Sequence, residues 1–216
     1  MTLELPAPSS ARKRDTTRHA LLEAALNVFA AKGYHDAAVG EIVERAGRAK
    51  GTAYFHFPNK AAIFRALLRE LAGMLMAKVE REIAPQASAV RKLDAALLAV
   101  IEIFTEHRKL ARIMLVEVAG AGRAFDEDLM FVRQQFACVI RENLDASVAE
   151  GTIPPCDTDL IAMAWFGAIN EVVVSWLYAR DHDSLHTRFP TLRHTLLRSV
   201  GIDPITLAPH GLAARA

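Results

Sequence analysis

The 216-residue chain holds only two cysteines, Cys138 and Cys156, so it has no disulfide framework and a reducing, cytoplasmic setting fits. No cationic cluster flanks either thiol in the sequence, which leaves nothing to activate a redox-sensing thiolate. Catalytic signatures are missing as well. There is no GxSxG, no HExxH and no supported pair of carboxylates, so the expected protein is not an enzyme. His182 and His186 stand four apart beside Asp183, yet the further ligands of a zinc site are lacking, and neither metal nor cofactor is expected. Gly120-Ala121-Gly122 follows no strand and precedes no Lys-Ser/Thr pair, which makes it a loop and not a phosphate cradle. Residues 1–10 lack the positive start and apolar run of a signal peptide. The apolar stretch 160–178 carries Asn170-Glu171 at its centre, where a carboxylate is costly in a bilayer, so it reads as a buried helix and no membrane is expected.

A strong net charge is also lacking. The formal balance is +1, but nine Lys/Arg face six Asp/Glu in residues 1–60, against seventeen and nineteen in the rest. A nucleic-acid partner needs only a local basic face, so this asymmetry permits one. At 52% hydrophobic residues the chain has enough apolar side chains to bury a core.

What the sequence does contain is concentrated in residues 39–60, VGEIVERAGRAKGTAYFHFPNK. Val39, Ile42, Val43 and Ala46 recur at helical spacing, leaving Glu41, Glu44 and Arg45 to water. Gly47 stands where a helix end needs positive φ, and a second, very short helix is expected over 49–57. That helix is too short to persist alone and must be held by packing. Pro58 disfavours helical geometry at Phe57, and Asn59 can cap the helix that follows. Lys50, Thr52, Tyr54, His56 and Lys60 offer cationic and hydroxyl donors with no carboxylate between Glu44 and Arg65, and Gly51 adds no bulk. Such a face suits a phosphate backbone and a major groove, although a solvated helical hairpin carries the same spacing.

The residues from Thr17-Arg18 to Phe64 carry a more specific signature: Leu22, Ala25, Phe29, Gly33-Tyr34, Val39, Ile42, Ala46-Gly47, Lys50-Gly51-Thr52, Tyr54, Phe57, Lys60 and Phe64. In these positions the chain resembles the DNA-binding domain of the TetR family of one-component transcriptional regulators. The resemblance implies an all-α protein with an N-terminal three-helix, helix-turn-helix domain and a larger helical domain for ligand binding and dimerisation. It assigns Lys50, Gly51, Thr52, Tyr54, Phe55 and His56 to the recognition helix and Lys60 to a phosphate contact; Arg18 and Arg48 join them as expected DNA contacts. The chain departs from the family at Ala37, Ala38 and Ala49, where hydroxyl residues usually serve as N-caps, each worth about 1 kcal/mol.

Along the chain, residues 1–14 read as a flexible tail ending in Arg12-Lys13-Arg14, and 15–62 as the DNA-binding domain. Residues 63–204 form the larger domain and 205–216 a frayed end. Asp15-Thr16-Thr17 offers caps for a first helix that Gly33 ends. A helix over 59–83, stopped by Ala84-Pro85, touches both halves and is the candidate lever between them. Helices over 88–105, 109–118, 126–150, 157–178 and 183–200 follow, and no strand pattern or repeat appears. The helix over 157–178 is apolar nearly all round, so a partner subunit is its expected second cover, with Val173, Trp176, Leu192 and Leu196 at the interface. By resemblance the last two helices form a four-helix bundle with their symmetry mates. The resemblance also places Phe104, His107, Met114, Phe131, Gln135, Trp165, Ile169 and Asn170 around an effector cavity suited to a mostly apolar small molecule with one polar handle. The expected function is a homodimeric, cytoplasmic repressor released from a palindromic double-stranded operator by that molecule. The alternative is a helical ligand-binding protein whose DNA binding has weakened.

Overall fold

The computed structural model describes residues 13–179 and 185–207. The expected tail up to residue 12, His182, the Asp183 start of the last helix and the chain end beyond 207 lie outside the described residues. Ten α-helices are described: α1 Lys13–Asp36, α2 Val39–Arg45, α3 Lys50–His56, α4 Lys60–Ile83, α5 Ala89–Glu106, α6 Arg108–Arg112, the single turn α7 Val118–Gly120, α8 Asp126–Ala149, α9 Thr158–Tyr178 and α10 Leu185–Ser199. A π-helical turn, Ile113–Glu117, joins α6 to α7, and a 3-10 turn, Arg123–Phe125, leads into α8. No strand occurs among the described residues.

These helices form two compact units. The first takes the described residues through Met74 together with Glu106–Val132; the second takes Leu75–Thr105 and the described residues from Arg133 on. The core of the first unit is built on the inner stripe of α1, where Leu21, Leu22, Ala25, Leu26 and Phe29 are buried. Phe29, Tyr34, Phe64 and Phe125 meet around it with ring centroids 4.9–5.9 Å apart. Offset and edge-to-face arrays of this kind are the ones aromatic quadrupoles favour.

Local chemistry sets the ends of the helices. Helix α1 starts at Lys13, ahead of the expected Asp15–Thr17 caps, and it kinks at Gly33 (φ 81°, ψ 171°) before one further turn. At the end of α2, Gly47 adopts φ 60°, the Gly47 N–H donates to Glu44 O at 3.0 Å, and the Arg48 N–H donates to Val43 O at 3.1 Å. That pair is a Schellman motif, which satisfies two carbonyls the helix would otherwise leave open. Phe57 is extended (φ −139°, ψ 113°), as the following proline requires, and the Asn59 side chain accepts from the Ala62 N–H at 2.9 Å to cap α4.

The segment 106–132 belongs to the first unit through specific bonds. The Glu117 carboxylate accepts from the Tyr34 backbone N–H at 3.3 Å and from Arg112 Nε at 3.2 Å, beside Gly33. His35 Nε2 pairs with the Gly120 carbonyl at 3.0 Å, and Arg65 donates to Asp128 at 2.9 Å and to the Ala124 carbonyl at 2.6 Å. Apart from the local Arg112–Glu117 pair, a sequence pattern cannot reveal these bonds, because the partners lie between 59 and 85 residues apart.

In the second unit α5 turns Val90, Leu93, Leu97, Val100, Ile101 and Phe104 inward. Asp94 lies fully buried on the same helix, where both its oxygens accept from Arg193 of α10, one of them from Nη2 at 2.7 Å. A buried carboxylate survives only with such a partner. Asp157 caps α9 by accepting from the Leu160 N–H at 3.0 Å, and Trp165 inside α9 donates its indole N–H to Ser199 Oγ at 3.1 Å.

Candidate DNA-binding face and effector domain

Helix α3 is held by one small buried residue, Ala53, and by Phe57 just beyond its end, both almost inaccessible. The other positions point outward. Lys50, Gly51 and Thr52 are exposed, Tyr54 and Phe55 are 46% and 66% exposed, and His56 is half-buried. Arg48 in the preceding turn is exposed too. The sequence from Arg45 to Arg69 contains no carboxylate, so the face presents donors and aromatic surface with no acidic group in its own segment to repel an anion. The N-caps of α2 and α3 are Ala38 and Ala49, and neither side chain makes a capping bond.

Two expected DNA contacts, Lys60 and Arg18, also make bonds within the chain. Lys60 directs its ammonium at the His35 and Ala37 carbonyls, 2.9 and 3.0 Å away, and lies 4.7 Å from the Tyr34 ring centroid. It therefore closes the open end of α1 and pins it to the start of α4. Arg18 donates to Glu70 at 3.0 Å and stacks 5.8 Å from the Phe57 ring, bracing α1 against α4. Tyr34 packs into the aromatic cluster, and burial raises its pKa despite the opposing charge of Arg65.

The residues expected around the effector are divided between the units. His107, Met114 and Phe131 belong to the first, and Phe104, Gln135, Trp165, Ile169 and Asn170 to the second. Phe104, Met114, Trp165 and Ile169 are buried, while Phe131 is 44% exposed and so opens to solvent. His107 sits between α5 and α6 with a buried Nδ1 that has no hydrogen-bond partner, and burial lowers its pKa against the opposing pull of Glu106. Burial therefore favours its neutral form.

The expected dimer contacts are mostly buried within their own chain. Val173, Trp176 and Leu196 are at most 7% exposed, covered by their own chain, and Leu192 is half-buried. The uncovered apolar residues of α9 lie on the other side of the helix: Leu160 and Met163 at 58% and 61% exposure, and Tyr178 at 62%. Beside Met163 a groove of about 620 Å³ runs between α8 and α9, lined by Gln134, Gln135, Cys138, Arg141 and Asp159 among others. A signal for this register was present in the sequence. Asn170, Glu171 and Ser175 share the outer stripe, and their polarity marks the side that does not enter the core. Helix α9 is long and apolar enough to cross a membrane by composition alone. Cys138 in the groove has its pKa raised, first by its bond to Glu142, so the thiol is the favoured form.

Comparison with known proteins agrees with this arrangement. A family model described as bacterial regulatory proteins, tetR family, matches residues 21–67, and one described as tetracyclin repressor-like, C-terminal domain, matches residues 86–179. The chain is similar to the HTH-type transcriptional regulator YdgC of Bacillus subtilis (30% identity over 173 residues, 74% of this chain and 81% of that protein). It is also similar to a fatty acid metabolism regulator protein of the same organism (27% identity over 158 residues, 73% and 81%). Among solved structures, the fatty acid degradation regulator FadR from Bacillus halodurans superposes with a TM-score of 0.77 at 25% identity, over 88% of this chain and 97% of that one. FadR from Bacillus subtilis in complex with stearoyl-CoA has the same fold, with a TM-score of 0.77 at 24% identity over 84% and 97%.

Proposed function

The chain belongs to the tetR family of bacterial regulatory proteins, a ligand-responsive DNA-binding transcriptional regulator, and from that premise we propose that it is a homodimeric repressor. Two copies of α3 enter successive major grooves about 34–36 Å apart on one face of a palindromic operator. The observation that carries this reading is the outward face of α3, where Lys50, Thr52, Tyr54 and Phe55 stand exposed in an acid-free segment. The two-fold partner is a second copy, seated on the outer stripe of α9 that Leu160 and Met163 begin. Exposed apolar residues such as Leu160 and Met163 find their complement in a second copy across a two-fold axis.

The effector is a mostly apolar small molecule, and a long-chain fatty acyl thioester is its leading candidate. Similarity to a fatty acid metabolism regulator, and to a fold-mate that binds stearoyl-CoA, supports this choice. The effector binds better to a conformer whose α3 spacing does not fit DNA, and that preference sets how far it can empty the operator. A second reading, a ligand-binding helical protein with weakened DNA affinity, draws on the uncapped starts of α2 and α3.

The test is a titration of duplexes from the gene's own upstream region over a range of salt, with and without long-chain acyl-CoA. Specific retention with a steep salt slope, lost on adding acyl-CoA but unaffected by free coenzyme A, is the expected result. Retention that ignores every acyl chain length removes the acyl thioester. Absence of any specific retention, with a persistent acyl-dependent rise in melting temperature, favours the second reading.

A further inference from the structure

Helices α9 and α10 carry opposite charge. Helix α9 contains Asp159 and Glu171 and no Lys, Arg or His, whereas α10 contains Arg188, Arg193, Arg198, His186 and His194 and no carboxylate. Asp159 is taken by Arg141, and Arg193 by the buried Asp94. Glu171 is exposed and accepts from Ser175 Oγ at 3.5 Å. Arg198 is exposed as well. Its Nε donates to His194 Nε2 at 3.4 Å, a bond to a neutral imidazole that leaves the guanidinium charge unbalanced. Among the described residues neither Glu171 nor Arg198 meets an opposite charge.

Both charges sit at the centre of an outward face. At 100° per residue, Leu160, Gly167, Glu171 and Tyr178 lie within about 20° of the line opposite the buried Ile169, and Arg198 lies about 180° from the buried Phe189. The bond from Trp165 to Ser199, 3.1 Å long, sets the two helices level at that point. They run antiparallel: a parallel pair would put the start of α10 about 40 Å from the end of α9. The chain from Tyr178 to Leu185 spans at most about 25 Å. Arg198 is therefore level with Phe166 of α9, roughly 7.5 Å short of Glu171 along the axis. Within one copy the two charges stay apart. A two-fold axis across α9, midway between Phe166 and Glu171, brings each Glu171 level with Arg198 of the partner subunit. The nearest outward position to that midpoint is Gly167. It has no positive φ, and a Cβ placed on it would meet nothing within 4 Å, so its own chain does not require a glycine there. A second α9 crossing at that point does, because close approach of two helices needs a missing side chain.

We propose that Glu171 and Arg198 form a reciprocal ion pair across the two-fold axis, and that this pair selects a second copy of this chain over other helical partners. The inference rests on the reading of a second copy seated on α9, and it adds the register of that copy and the charges that choose it. A helix with no cation at the matching level would leave Glu171 covered and without a counter-charge, a cost that rejects it.

The experiment reverses charges in the full-length protein and reads self-association by sedimentation equilibrium. Glu171→Arg alone and Arg198→Glu alone each create like-charge contacts on both sides of the axis and should weaken the dimer about a hundredfold. Both positions are exposed, so helical circular dichroism should match the wild type. Glu171→Arg with Arg198→Glu in one chain restores both pairs and should return the affinity to within about threefold of the wild type. The two single variants, mixed, should form a heterodimer about as stable as the wild-type dimer, because every contact across the axis is then opposite in sign. A merely structural role for either residue would not be repaired by mixing. The proposal is overturned if either single variant dimerises as the wild type does, or if the mixture stays dissociated. A wild type that is monomeric at every concentration removes the second-copy reading and this proposal with it. A wild-type dimer whose single variants are rescued neither by mixing nor by the double reversal sinks this proposal alone.

Discussion

Helices α3 and α9 each leave a face that the other described residues do not cover, and the two faces differ in kind. On α3 it is cationic, hydroxyl-bearing and aromatic over seven residues; on α9 it is apolar at Leu160 and Met163 near the start and at Tyr178 at the end, with Asn170, Glu171 and Ser175 between them. A face of hydrogen-bond donors is well solvated until an anion displaces the water, so it can wait for a partner. An apolar stripe is unfavourable in water at all times, by roughly 25 cal/mol for each Å² left exposed. The contrast implies a standing partner for α9 and an intermittent one for α3, as a regulator that stays assembled on and off DNA requires.

The strongest test of that contrast removes the apolar stripe. Leu160→Asp with Met163→Asp puts four charges into the proposed two-fold interface and should weaken self-association by about a thousandfold, read by sedimentation equilibrium, with helical circular dichroism unchanged. A dimer of undiminished stability would place the standing partner elsewhere. Next in size are the two lysines at the ends of the α3 segment. Lys50→Ala should flatten the slope of log affinity against log salt by about 1.8, one phosphate for each half-site. Lys60→Ala should leave the slope in place and instead lower unfolding stability by about 1 kcal/mol, since its ammonium serves the His35 and Ala37 carbonyls. Equal slopes for both variants would make Lys60 a DNA contact after all.

Those two lysines also show how far the sequence was readable. The helix-turn-helix follows from local signals: the Ala46-Gly47 end of α2, the Pro58-Asn59 stop, and apolar spacing in α1 and α4 all reappear where expected. Residues whose role depends on a distant partner did not follow. Lys60 and Arg18 look like ordinary cations until Ala37 and Glu70 are brought beside them. The sequence of α9 is apolar nearly all round, and the choice of which side stays open is made by Trp165, Val173 and Trp176 entering the core. Nothing local in the sequence marks Glu117 as the acceptor for a backbone N–H eighty-three residues away.

Two smaller effects sharpen the comparison further. Ala49→Ser supplies the missing N-cap of α3 and should add about 1 kcal/mol, a rise of roughly 2–4 °C in melting temperature. No change would mean that the loop before α3 already holds that end. His107 gives the last effect. Its folded pKa lies below the unfolded value of about 6.5, so the folded state resists a proton that the unfolded chain accepts. Its contribution is complete above about pH 6.5 and is lost as pH falls from there through the folded pKa. Melting scans from pH 7 to 5 should show a shallower decline for His107→Gln than for the wild type.

The kink at Gly33 carries a genetic consequence. A side chain there faces two separate objections: a backbone at φ 81°, ψ 171° that essentially only glycine adopts, and the Glu117 carboxylate 3.1 Å from where a Cβ would stand. The carboxylate is the movable end of a flexible side chain, so shortening residue 117 lifts the crowding and leaves the torsional objection intact. A screen for second-site suppressors of Gly33→Ala should therefore recover changes at Glu117 that restore folding stability and DNA binding in part, and full restoration only by return to glycine.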